Sequence, residues 1–131
     1  MELAADLDIT IGENFWSPRW AVVLWGAAVD LTDGWTVNAQ IRPYAAASTV
    51  LHEFQGAVGV NLGTVPVVIG GEQTTTSTVQ FYIPATVTER FTEWVGVWDW
   101  RIEHPERGPN ATPYVRTMAG GKVETHWSVT R

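Results

Sequence analysis

The sequence predicts an all-β fold, an antiparallel sandwich or barrel, and three observations carry that reading. Several segments alternate apolar and polar residues with a period of two, as strands with one buried face do. Glycine and proline pairs punctuate these segments at fairly even spacing, and helical periodicity is almost absent.

In chain order, residues 7–11 form the first candidate strand. The stretch FWSPRWAVVLW is apolar on both alternations, with Trp16, Trp20, Val22 and Leu24 on one and Ala21, Val23 and Trp25 on the other. That suits a strand covered on both sides or one carrying a bulge, and Pro18, which donates nothing to a ladder, marks an edge or a bend. In GWTVNAQIR, Trp35, Val37, Ala39 and Ile41 share one face and Thr36, Asn38, Gln40 and Arg42 the other. Residues 50–54, 65–69 and 78–83 are further candidates, and the stretch 45–77, rich in Ala, Val, Gly and Thr, leaves strand ends open. At most one short helix is expected, in PATVTERFTEW, where Thr86 and Glu89 have the spacing of a capping box. Trp98, Trp100 and Ile102 then share a face, against Asp99, Arg101 and Glu103, and KVETHWSVTR sets Val123, Thr125, Trp127 and Val129 inward. Turns are expected at Asp33-Gly34, Gly70-Gly71, Gly108-Pro109 and Gly120-Gly121, the last two making residues 95–130 a three-strand antiparallel meander.

A chain of 131 residues with 45% hydrophobic content suits one domain over 1–131, with 1–6 as a flexible N-terminal segment. Eight Lys and Arg against fourteen Asp and Glu leave a net charge of −6, which repels a phosphate backbone, so nucleic acid is not an expected partner. Without cysteine, packing rather than disulfides or thiolate metal sites must hold the fold. MELAADLDIT lacks the basic and apolar regions of a signal peptide, and no apolar run approaches the roughly 20 residues that span a bilayer. Synthesis in a cytoplasm without membrane insertion is the expectation. Asn110-Ala111-Thr112 matches a glycosylation sequon, which carries little weight in that setting.

Enzymatic chemistry is not expected. His52, His104 and His126 are scattered and form no HExxH pattern. Asp99 and Glu103 on one strand face stand about 13 Å apart at ~3.3 Å per residue, too far for a glycosidase carboxylate pair at roughly 5 to 9.5 Å. The acidic residues Glu2, Asp6, Asp8 and Glu13 lack calcium-loop spacing and read as a solvated edge, and IGGEQTTT lacks the GxxxxGK[ST] pattern of a phosphate loop. No catalytic residue, metal site or cofactor is predicted.

The eight tryptophans are the anomaly of the composition. They either line an exposed face and stack on carbohydrate or fill the interior, where a large aromatic buries about 150–250 Å². Trp35, Trp98, Trp100 and Trp127 share the alternation of Val37, Ile41, Ile102, Val123 and Val129, which favours the core for these four. Trp16, Trp20, Trp25 and Trp94 lie in segments that do not alternate cleanly. Aromatic enrichment at interfaces makes Trp16, Trp20 and Trp25 candidates for subunit contact.

Three pieces in fixed order, VDLTDGWTVNAQIRP, FYIPATVTERF and VWDWRIEHPERG leading through VRTMAGGKVETHWSVTR, resemble the Ig-like N-terminal domain of phage baseplate upper proteins and related small minor tail proteins of phages infecting Gram-positive bacteria. Asp30, Leu31, Thr32, Gly34, Trp35 and Thr36 match the opening motif, with Asp33 inserted. Trp98, Asp99, Trp100 and Ile102 match the third strand, Trp98 replacing a tyrosine, and Gly121, Val123, Val129, Thr130 and Arg131 match the closing one. The resemblance spans residues 8–131 and implies an antiparallel Ig-like β-sandwich that serves as a structural virion protein of the tail tip or baseplate. It implies assembly with other tail proteins in a symmetric ring after synthesis in the host cytoplasm. Larger family members continue past this point, so a chain ending at the closing strand favours an adaptor between tail subunits, with Asp99 on a face toward polar groups or a neighbour. The alternatives are a carbohydrate-binding module for bacterial cell-wall glycan, a head-tail connector and a capsid decoration protein.

Overall fold

The computed structural model describes residues 3–127. Its elements, in chain order, are β1 (Leu3–Ala4), β2 (Leu7–Ile11), β3 (Phe15–Trp16), β4 (Trp20–Ala21), β5 (Val23–Leu24), β6 (Ala27–Ala28), β7 (Thr36–Arg42), β8 (His52–Phe54), α1 (Gly56–Gly59), β9 (Val60–Ile69), β10 (Glu72–Ile83), α2 (Ala85–Thr88), β11 (Val95–His104), a 3-10 turn (Pro109–Ala111) and β12 (Tyr114–Trp127). In the larger sheet β1 and β2 lie along one edge of β12, followed by β11, β7 and β8. In the smaller one β9 pairs with β10, and β3 and β4 share the other edge of β10. The orders β12-β11-β7-β8 and β4-β10-β9 are those of the G-F-C-C′ and B-E-D strands of an Ig-type sandwich.

The larger sheet is mixed rather than purely antiparallel. Leu3 pairs with Ala119 and Leu7 with Val123 in parallel register, so the N-terminal edge departs from the expected pattern. Residues 3–6 are not a loose segment either. The Ala5 N–H donates to Gly120 O at 2.9 Å, Trp98 Nε1 donates to Ala5 O at 2.6 Å, and Asp6 Oδ1 accepts the Lys122 N–H at 2.9 Å. Met1, Glu2, Val129, Thr130 and Arg131 lie outside the described residues.

Gly120-Gly121 is not a turn. β12 runs through it as one fourteen-residue strand, so the expected meander is a hairpin of two long strands with a register shift at Trp100/Arg101. The glycine is needed for a different reason: a Cβ on Gly121 would stand 2.5 Å from Asp6 Oδ1 and 2.6 Å from Ala5 O, where the N-terminal strand crosses. At Gly70-Gly71 both residues have positive φ (61° and 82°) between the paired Ile69 and Glu72, as a two-residue hairpin loop requires. Two one-turn helices form instead of at most one, and the Thr86–Glu89 capping box does not. Pro84 precedes the first turn of α2, and Asn14 Oδ1 accepts the Ala85 N–H at 2.7 Å from 71 residues away.

The core lies between the sheets. Trp98, Trp100 and Ile102 of β11, Ala39 and Ile41 of β7 and Val123 of β12 face Val79, Phe81 and Ile83 of β10. The Trp20 ring on β4 sits 5.9 Å from Trp98 and 5.7 Å from Trp100 on β11. In a cysteine-free chain this indole contact links the two strands that a disulfide bridges in antibody domains.

Candidate functional site

The tryptophans divide by strand parity and by one bulge. Trp98 and Trp100 are 3% and 1% exposed, and Trp35 is half-buried at the rim of the core, edge-on to His104 at 5.1 Å and to Tyr114 at 6.0 Å. Trp127, expected in the core, is 38% exposed: it lies two residues past Thr125, the last β12 residue enclosed within the described chain. Trp20, expected at a subunit contact, points inward instead. From Trp16 to Trp20 is four residues, while their partners on β10, Tyr82 and Val79, are three apart, so one extra residue sits between β3 and β4. A one-residue insertion flips the face of everything beyond it. Trp16 and Trp20 therefore lie on opposite faces, although their spacing places them together in a regular strand. Ser17 seals the bulge, its Oγ accepting the Phe81 N–H at 2.8 Å and donating to Pro18 O at 2.8 Å.

Besides Trp127, two tryptophans are exposed, on separate surfaces. Trp25 is 66% exposed at the tip of the β5–β6 hairpin, where Trp25 and Gly26 both have positive φ (53° and 70°). Its ring leans on Tyr114 at 5.0 Å, which extends the rim cluster of Trp35 and His104 outward. Trp16 is 54% exposed on the outer face of the smaller sheet, its ring over Tyr82 with centroids 4.1 Å apart and planes inclined by 33°. The Tyr82 hydroxyl is hydrogen-bonded to Asn14 Oδ1 at 3.0 Å, so the pair is held from both strands.

Beside that pair lies an array that the period-two pattern does not reveal. The Arg19 guanidinium donates from Nη1 to Thr78 Oγ1 and from Nη2 to Gln80 Oε1, both at 3.0 Å, and Gln80 Nε2 donates to Ser17 O at 2.9 Å. A Cβ on Gly63 would stand 2.8 Å from Arg19 Nη1 and 3.0 Å from Thr78 Oγ1, so the missing side chain on β9 leaves room for the Arg19–Thr78 bond, and Thr78 itself is 2% exposed. The sequence signals for this array are the SPR bulge and the single glycine inside β9.

On the opposite outer face, Asp99 is exposed across from Gln40 and Gly120, beside a chain of bonds in which Arg42 Nη2 donates to Gln40 Oε1 (2.5 Å) and Gln40 Nε2 to Glu53 Oε2 (2.5 Å). The Gln40 and Gln55 amides hold the Glu53 carboxyl below its usual range. The DLT motif is structural. The Thr32 hydroxyl and N–H donate to Asp30 Oδ1 and lower its pKa, while the buried Leu31 donates its N–H to Ser77 Oγ at 2.8 Å.

The histidines stay apart. His52 packs edge-on to Phe54 (4.9 Å) and Phe91 (5.8 Å), and burial pushes its pKa down. His104 contacts Asp33 O at 3.2 Å, and His126 lies 2.8 Å from Asp8. Among the described residues no three His, Asp or Glu side chains are placed to hold a metal ion, and no helix is long and apolar enough to cross a membrane. Comparison of the chain with models of known protein families and with curated proteins finds no match.

Proposed function

We propose that this domain is a structural component of a phage tail tip or baseplate, an adaptor held between neighbouring tail subunits. The ordered motifs from Asp30 to the closing strand support the family assignment, and Trp25 carries the contact. A bulky residue in left-handed backbone costs about 1 kcal/mol or more, and an indole 66% exposed recovers little of that in the free domain. A neighbour that covers the hairpin tip, Tyr114 and the rim of Trp35 rewards that conformation. Carbohydrate capture by Trp98 and Trp100 is not available to rings at 3% and 1% exposure.

The test is mass spectrometry of virions from the strain that encodes the chain, after dissociation into heads and tails. A fixed stoichiometry in the tail fraction supports the adaptor. Recovery in the head fraction points instead to a connector or decoration protein, and absence from particles sinks the virion reading.

A further inference from the structure

The outer face of the smaller sheet carries a feature that neither the core nor a hairpin-tip contact uses. From the stacked pair Trp16–Tyr82, residues 80 and 78 follow on the same side of β10 at about 7 and 13 Å, and both are bridged by Arg19. The arrangement is built rather than incidental. Gly63 leaves room for Arg19 Nη1, Gln80 is tethered to Ser17 O, and Asn14 fixes the tyrosine hydroxyl.

Arg19 has only neutral hydrogen-bond partners among the described residues. The strands of this sheet bear a single charged residue, Glu72, which is six residues and about 20 Å from Thr78 along β10, beyond a screening length of about 8 Å at physiological salt. In a chain of net charge −6 this is a cation with no carboxylate among its hydrogen-bond partners and with unused N–H donors, next to an exposed indole.

From this we infer that the outer face of the smaller sheet binds an anionic carbohydrate. One pyranose ring lays its C–H face on Trp16, and a carboxylate or phosphate on the same or the next sugar reaches Arg19. The flat, open geometry suits a chain of sugars lying along β10, and the fixed guanidinium supplies the two-pronged donor pair that a carboxylate or phosphate takes. The inference does not rest on the tail-tip reading: glycan binding by a chain absent from virions removes that reading and leaves this one standing.

The experiment probes the full chain against an array of neutral, uronate-bearing and phosphate-bearing pyranose oligomers, then titrates the strongest binder by tryptophan fluorescence. Binding is expected to be confined to anionic members and to weaken with salt, the uronate and phosphate arms showing which anion is read. Trp16→Ala and Arg19→Gln each reduce affinity about tenfold or more, near 1.4 kcal/mol, while Trp25→Ala leaves it unchanged. Arg19→Lys keeps the charge without the planar fork and gives an intermediate loss. Circular dichroism and melting curves confirm that the variants fold, as substitutions at exposed positions do. No binding to any anionic member, equal binding to neutral ones, or binding that survives both Trp16→Ala and Arg19→Gln overturns the proposal.

Discussion

At the scale of single residues, Trp98 and Trp100 show how two neighbouring indoles on one face do different work. Trp98 donates its Nε1 to Ala5 O and so ties the N-terminal strand to the core. Trp100 Nε1 is buried with no hydrogen-bond partner among the described residues, its ring held by Phe81 at 5.6 Å and Trp20 at 5.7 Å. An orphaned donor costs about 1–3 kcal/mol, so the value of Trp100 is its volume. Trp100→Ala should therefore destabilise by about 3–5 kcal/mol and lower Tm by roughly 10 °C or more, or prevent folding. Trp100→Phe, which keeps a ring and removes the orphan, should cost far less. Chemical denaturation of both variants checks the contrast, and equal losses would show that the indole itself is required. His52 gives the pH dependence. Burial lowers its folded pKa below the unfolded value of about 6.5, so the folded state binds fewer protons in that window. Its contribution is complete above about pH 6.5 and shrinks as pH falls toward the depressed folded value. Melting curves from pH 7.5 to 5 should show wild type losing ground to His52→Leu as pH drops. A constant gap would remove the effect. Alternation alone placed Trp98 and Trp100 in the core, because parity decides the face wherever a strand is regular. Trp20 escaped that logic because the inserted residue at Ser17–Pro18 is a property of pairing with β10, which period-two counting along one strand does not contain.

At the scale of elements, the strands that the pattern located best are those with one buried face and one wet face, residues 7–11 and the run ending at Arg42. Those it misread depend on a distant partner. Gly120-Gly121 has turn composition, yet the reason for Gly121 is the backbone of Ala5, over one hundred residues earlier, passing within contact distance. The N-cap of α2 was equally hidden, since its acceptor is Asn14 rather than Thr86. Gly121→Val tests this account. Its Cβ would meet a backbone oxygen at 2.6 Å, so the β1–β2 link must move, breaking the bonds from Trp98 Nε1 to Ala5 O and from the Lys122 N–H to Asp6 Oδ1. Hydrogen exchange should speed up across residues 3–11 while the β9–β10 hairpin keeps its protection. Unchanged exchange at the N-terminal edge would mean that the crossing is not tight.

At the scale of the whole molecule, the sandwich is closed by aromatic contacts between sheets, and the aromatics left outside include the Trp25 hairpin at one end and the Trp16 platform on the outer face. Neither was legible as a separate surface in the sequence, because exposure there follows from a hairpin tip and a bulge rather than from alternation. The hairpin allows stability and assembly to be separated. A two-residue loop with positive φ at both positions prefers Asn-Gly, and Trp25-Gly26 holds an indole where asparagine fits best. Trp25→Asn removes strain worth about 1 kcal/mol or more and gives up a solvent-exposed ring contact with Tyr114, worth about 0.5–1.5 kcal/mol at most. The isolated domain should therefore melt at the same temperature or higher. On the tail contact proposed for this ring, virions carrying the variant should incorporate less of the chain into tails. A clear drop in Tm with normal incorporation would reassign Trp25 to folding and leave the tail contact to be sought elsewhere on the rim.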